Sequence, residues 1–230
     1  MSDISTWLSW LPEMLGGLWI SLQVAVVSLL IGLPLGALLG LLSTTGLVAL
    51  RFAAIALIEI GRGIPALIFL YFIYYGLPDV GITLSSMVSA FLALSVTAAA
   101  YSSELFRAGI QAVPQGEIEA AQALGLSRRH TVFDVVLPQA IKISLPSLIG
   151  LSTQIFQATA LAYSIALPEL LSRAYAIGAR TFEFMPALIM TGLLYLVITL
   201  PLSTLVQRMS RPKGSARPVR ESQPSVPAPL

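Results

Sequence analysis

The residues of this chain best equipped for chemistry are few and come in close pairs. Glu59 and Arg62 are spaced i,i+3, as are Glu104 and Arg107. On a helix each pair shares one face and can close as a local ion pair. Gln154, Gln157 and Thr159 interrupt an apolar run, with the two glutamines about one turn apart. They suit hydrogen bonds to a neighbouring helix or to a polar solute. His130 has Asp134 four residues on, but two ligands without a second histidine make a poor metal site. The chain has no cysteine, which excludes disulfides, thiolate metal centres and thiol catalysis. GxxxxGK[ST], HExxH and GxSxG are all absent, so the usual signatures of ATP hydrolysis, metalloproteolysis and ester hydrolysis are missing. What remains is non-covalent: pairing of charges and hydrogen bonding.

The elements that hold these groups are set by an unusual solvent. Of 230 residues, 56% are hydrophobic and 10% charged, with a mean hydropathy of +0.85, against about 25% charged in soluble domains. So few ionisable groups cannot cover a globule in water, and the net charge of +2 offers no basic stripe to a nucleic acid. Uncharged stretches run from Met14 to Leu50, Gly63 to Pro78, Val80 to Ser103, Ile143 to Pro168 and Phe184 to Gln207. A spanning helix needs about 20 mostly apolar residues. The second stretch reaches that length only by extending back through Arg62 and Glu59. The chain therefore reads as an all-α membrane protein with about five transmembrane helices, near 18–42, 52–77, 85–108, 147–166 and 186–207.

Basic residues orient it. Arg51, the segment Arg107 to Lys142 and the tail from Arg208 hold ten of the thirteen, and the opposite side holds Arg173 and Arg180. The N-terminus is expected outside and the C-terminus in the cytoplasm. Residues 1–15 form an extracytoplasmic segment without the basic region of a signal peptide. Residues 16–208 form the membrane domain, and 209–230, rich in Pro, Ser and Arg, a disordered basic tail. Glu59 and Arg62 then lie in the cytoplasmic half of the second span, either as a structural or subunit contact or along a translocation path. Glu104 and Arg107 lie near the cytoplasmic end of the third. Gly32, Gly36 and Gly40 form two GxxxG steps, which permit close helix packing within the chain or between subunits.

The loop at about 109–142 is too polar to span and too apolar to be disordered. Val113-Pro114-Gln115-Gly116 breaks the third helix, and Glu117 to Leu124 has high helix propensity with its acids at the positive end of the dipole. Gly125 is placed for a left-handed C-cap, and Ser127 can cap a second short helix running toward Leu137-Pro138.

These residues carry a resemblance. Glu119-Ala120-Ala121, three residues, Gly125, nine residues and Val135-x-Leu137-Pro138 resemble the EAA loop of permease subunits of bacterial ABC importers. Arg62-Gly63-Ile64-Pro65, Tyr74-Tyr75-Gly76-Leu77-Pro78, Ala99-Ala100-Tyr101 with Glu104 and Arg107, and Leu137-Pro138-Gln139-Ala140 are similar to motifs of the polar-amino-acid branch, the histidine/glutamine/arginine type. Pro168-Glu169-Leu170 falls where that branch has a similar tripeptide. The likeness extends over about 16–208. Where the branch often has Lys-Asp-Thr-Ser-Leu, this chain has Gln157-Ala158-Thr159-Ala160-Leu161; Ile64, Phe69 and Ile118 also depart from the pattern.

The resemblance implies a multi-pass subunit of a bacterial inner membrane that moves a polar amino acid by alternating access. It implies coupling to ATPase subunits through Glu117, Glu119, Ala120, Ala121, Gly125, Leu137 and Pro138. The expected partners are two ATP-binding-cassette subunits, an identical or homologous permease and an extracytoplasmic solute-binding protein, all within a lipid bilayer. The chain itself would be no enzyme and hold no cofactor, ATP being bound by the partners. Glu59, Arg62, Gln154, Gln157 and Thr159 are the candidates for the substrate path. The rival readings are an ABC permease for another solute (an opine, methionine or an organic anion) and an ion-coupled secondary transporter, which would need Glu59 or Glu104 as a proton site and an inverted repeat.

Overall fold

The computed structural model of the chain describes residues 4–210; most of the tail read as disordered, residues 211–230, lies outside them. The described residues form eight helices and no strand. In order they are α1 (Ile4–Ser43), α2 (Val48–Gly63), α3 (Ala66–Val80), α4 (Ser86–Gln111), α5 (Gln115–Ala123), α6 (Arg128–Ile165), α7 (Leu170–Thr181) and α8 (Phe184–Ser210). Helices α1, α4, α6 and α8 are each long and apolar enough to cross a membrane, and α2 with α3 meets the same test only as a bent pair, a fifth crossing if the two count as one broken span.

Three boundaries differ from expectation. The first helix starts at Ile4 rather than near residue 18. Its 40 residues correspond to about 60 Å of helix, roughly twice what a straight crossing of the hydrocarbon layer needs. The second span is not one helix: α2 and α3 meet at 96°. Pro65 explains the break, because it has no N–H for the preceding turn and pushes Ile64 out of the helical region. Ile64 is extended (φ −94°, ψ 126°), and its N–H closes α2 on the Ile60 carbonyl. The short helix after Ser127 does not stop at Leu137-Pro138 but runs on as α6. Pro138 cannot donate to Asp134, and the helix passes it through a π-helical turn over Thr131–Val136. Helix α7 is an element the sequence reading did not place.

Helices α1 and α4 share the most extensive seam. It is made of small residues: Gly32, Gly36 and Gly40 of α1 lie against Ser95, Ala98, Ala99, Ser102 and Ser103 of α4. A Cβ on Gly32 would sit 2.6 Å from Ala98 Cβ, one on Gly40 2.7 Å from the Ser103 carbonyl, and one on Gly36 would collide with Ser102 Oγ. The glycine stripe thus packs inside the chain. Such close approach lets dispersion hold helices that gain nothing from the hydrophobic effect in lipid. The Ser28 hydroxyl adds a hydrogen bond to the Phe91 carbonyl at 3.3 Å, 63 residues away. One apolar core joins Val24, Leu70, Ala93, Leu94, Leu151 and Ile155 across α1, α3, α4 and α6. A second, at the extracytoplasmic end, joins Met14, Leu18, Phe156, Leu170, Ile177 and Ala187 across α1, α6, α7 and α8.

Candidate functional site

The cytoplasmic element is built by local capping. Pro114 sets φ at −57° just before α5, and the helix ends on Gly125 at φ +76°. Gly125 N–H donates to the Gln122 carbonyl (2.9 Å) and Leu126 N–H to that of Ala121 (3.1 Å), the two bonds of a Schellman C-cap. Ser127 then caps α6, its hydroxyl accepting from His130 N–H at 3.4 Å. Of the predicted coupling residues, Ala121 is buried, Leu137 half-buried, and Glu117, Glu119, Ala120, Gly125 and Pro138 exposed. Beneath α5, Val113, Val136 and Ala140 form a small core with Ile110 and Ile118. Gln139 Nε2 donates to Glu117 Oε2 at 3.4 Å. The helix is therefore braced from below, with its acidic, small-residue outer face open. His130 Nδ1 lies 2.8 Å from Asp134 Oδ2, an exposed pair on the same side of the molecule.

The intramembrane charges, which read as two separate pairs, form one chain. Arg107 grips Glu104 with both prongs of its guanidinium (Nη2 to Oε2 2.5 Å, Nε to Oε1 3.2 Å), the strongest ion-pair geometry available to arginine. Arg62 Nη1 lies 3.6 Å from Glu59 Oε1 and 3.9 Å from Glu104 Oε2, so it ties α2 to α4. Glu59, Glu104 and Arg107 border a cavity of about 500 Å³ near the cytoplasmic ends of α1, α2 and α4, which Arg51 also lines. Arg51, whose positive charge marks the cytoplasmic side, belongs to this group as well. Its spacing with Ile55, Glu59 and Arg62 places all four on one face of α2, a signal present in the sequence.

The polar residues of α6 divide. Gln154 lines a cavity of about 180 Å³ with Tyr101 and Leu105 of α4 and Ser147, Gly150 and Leu151 of α6. Gln157 is exposed one turn further on. Thr159 is fully buried and its hydroxyl donates to the Phe156 carbonyl at 2.7 Å, so it does not share the glutamines' open face.

Glu169, noted in the sequence only as part of a tripeptide, is fully buried between the fourth and fifth crossings. It caps α7: Oε2 accepts from Leu171 N–H (2.9 Å) and Oε1 from Ser172 N–H (2.8 Å). The Ser21 hydroxyl of α1 donates to Oε2 at 3.4 Å and accepts from Leu170 N–H at 3.3 Å. Burial pushes the carboxyl up from 4.5 to about 7, against the opposing pull of these hydrogen bonds.

Four spanning helices with a fifth, bent pair, a capped cytoplasmic helix presented at their base and a chain of charges between α2 and α4 define a membrane transport subunit. Residues 32–213 match the family of binding-protein-dependent transport system inner membrane components, and the chain belongs to that family. It is 37% identical over 187 residues, 81% of this chain and 83% of the relative, to the probable amino-acid ABC transporter permease protein YckA of Bacillus subtilis. It is 35% identical over 210 residues, 91% of this chain and 96% of the relative, to the arginine transport system permease protein ArtQ of the same organism. A crystal structure of an amino acid ABC transporter with histidines matches at a TM-score of 0.84 and 30% identity, covering 90% of this chain and 97% of that one.

Proposed function

We propose that this chain is the permease subunit of an ATP-driven importer of polar amino acids. The observation that carries this reading is the geometry of α5: a capped helix, braced from below, whose exposed Glu117, Glu119 and Ala120 face the cytoplasm. A rigid, small-residue projection of this kind suits docking into a cleft on another protein and transmits movement without bending. The names of the relatives support an amino-acid substrate.

In this reading two ATP-binding-cassette subunits bind and hydrolyse ATP, and their closure shifts α5. Because α5 is packed on the bases of α4 and α6, its displacement turns those helices and opens the path alternately to the two sides. A second permease, identical or homologous, completes the path, and an extracytoplasmic binding protein delivers the solute. Gln154 and Gln157 offer neutral hydrogen bonds along it, whereas the buried Thr159 opens the 3-10 turn that ends α6 behind them. The absence of Lys and Asp at positions 157 and 158 favours a solute whose charged ends are held elsewhere, by Glu59 and Arg62 or by the second permease.

The test is reconstitution of the chain with its co-purifying ATPase and binding protein, with uptake measured over a panel of amino acids. Uptake of a polar amino acid is expected, and Glu119→Lys should abolish substrate-stimulated ATP hydrolysis while leaving assembly intact. Full stimulation in that variant would sink the coupling role of α5, and uptake of none of the panel would sink the substrate class.

A further inference from the structure

The cavity of about 500 Å³ at the cytoplasmic ends of α1, α2 and α4 is amphoteric: its lining carries Arg51 and Arg107 beside Glu59 and Glu104, with Thr44 and Gln111 between them. The four charges are not used alike. Arg107 and Glu104 hold each other through two hydrogen bonds, and Arg62 adds a second, longer contact to Glu104. Arg51 makes no ion pair among the described residues, although it lies within the same lining. Glu59 has a single ionic contact, at 3.6 Å, and its side chain is 65% exposed. Among the described residues the cavity therefore presents one cation without an ionic partner and one incompletely paired anion, two helical turns apart on the same face of α2. Because the lining carries both signs, a ligand with an anionic and a cationic end can pair at each, whereas a ligand of one sign can pair at only one. Its size lies within the range of small-molecule sites, about 300–1,000 Å³.

We propose that this cavity binds a primary-ammonium zwitterion, with the anionic end on Arg51 and the ammonium on Glu59. Two sources supply that chemistry at the cytoplasmic face. One is a free neutral amino acid leaving the path, a source that rests on the import reading above. The other is a phosphatidylethanolamine headgroup from the inner leaflet, which does not. Thr44, whose hydroxyl proton is committed to the Leu41 carbonyl at 2.8 Å, keeps lone pairs to accept from the ammonium.

The experiment uses the full chain purified with its ATPase subunits and without binding protein. In one arm the complex is placed in phosphatidylglycerol nanodiscs and binding of labelled L-glutamine is measured for wild type, Arg51→Gln and Glu59→Gln. In the other, native mass spectrometry counts phosphatidylethanolamine retained from ethanolamine-containing membranes by the same three proteins. Each variant removes a charge-assisted hydrogen bond, so the zwitterion should be lost by about tenfold or more in both. Arg51→Lys should restore most of it. Glutamine binding that falls in both variants establishes the free amino acid as ligand. Retained lipid that falls in both establishes the headgroup. Wild type indistinguishable from both variants in both arms overturns the proposal. So does equal competition against glutamine by glutarate, which lacks the ammonium. Uptake by the wild-type transporter, measured alongside, separates the two readings: failed uptake with retained lipid leaves the cavity site standing and removes the import reading.

Discussion

Ser21 of α1 and Glu169 at the start of α7 meet through a hydrogen bond of 3.4 Å across 148 residues, and the carboxyl at its centre is fully buried. Its pKa of about 7, against an ordinary 4.5, makes this contact pH-sensitive. Between those values the folded protein holds the proton and the unfolded chain does not. The stabilisation is thus complete below about 4.5 and is lost as pH rises through about 7, a change of about 3 kcal/mol. The melting temperature of the purified transporter should fall from about pH 5 to about pH 8. Glu169→Gln, which mimics the protonated form, should flatten that slope; an unchanged slope would place the titrating group elsewhere.

The glycine seam has a steric prediction. Gly36→Ala puts a methyl group onto Ser102 Oγ and 2.7 Å from the Ala99 carbonyl, and overpacking of this kind costs about 1–3 kcal/mol. Gly16→Ala, on the same helix with nothing within 4 Å, should be neutral or slightly stabilising, as alanine is the better helix former. Thermal unfolding of the two variants side by side reads the difference.

Gly125 holds α5 in place through its left-handed backbone (φ +76°) with no neighbour within 4 Å of a would-be Cβ. Alanine there costs about 1–2 kcal/mol from backbone strain alone, whereas asparagine tolerates the conformation. Gly125→Ala should reduce substrate-stimulated ATP hydrolysis, and Gly125→Asn should retain most of it. Equal activity in the two would show that the cap angle does not matter to coupling.

Phe182 ends α7 at φ +61° although it is not glycine, and 87% of it is exposed in the chain alone. Phe182→Gly should remove roughly 1 kcal/mol of strain and raise the melting temperature. A lower one would mean that the ring makes a contact in the assembled transporter worth more than the strain.

The capping chemistry of the α5 region was legible because it is local: Pro114, Gly125 and Ser127 each act within a few residues of themselves. The number of crossings was legible for the same reason, through runs of uncharged residues. The break between α2 and α3 was written in Pro65 but was outweighed by the length a span requires. Glu13 marks an end to the apolar run in the sequence but not to α1, because it pairs with Arg180 across the molecule. Helix α7 is a 12-residue piece carrying Arg173 and Arg180, too short and too charged for a search based on spans. The tie from Arg62 to Glu104 was out of reach, since nothing in the local spacing brings residues 62 and 104 together.

The seam between α1 and α4 also bears on timing. Its partners Ser28 and Phe91 are 63 residues apart, which at 5–20 residues per second is roughly 3–13 s of synthesis. Throughout that interval the glycine face of α1 must wait in the bilayer without its partner, while α2 and α3 are made. The Ser21–Glu169 contact closes later still, roughly 7–30 s after Ser21 is made at the same rate. The most extensive helix seam of the protein is thus exposed to lipid and to other nascent helices for seconds, and biogenesis, more than the finished fold, is where a stripe of bare backbone is vulnerable.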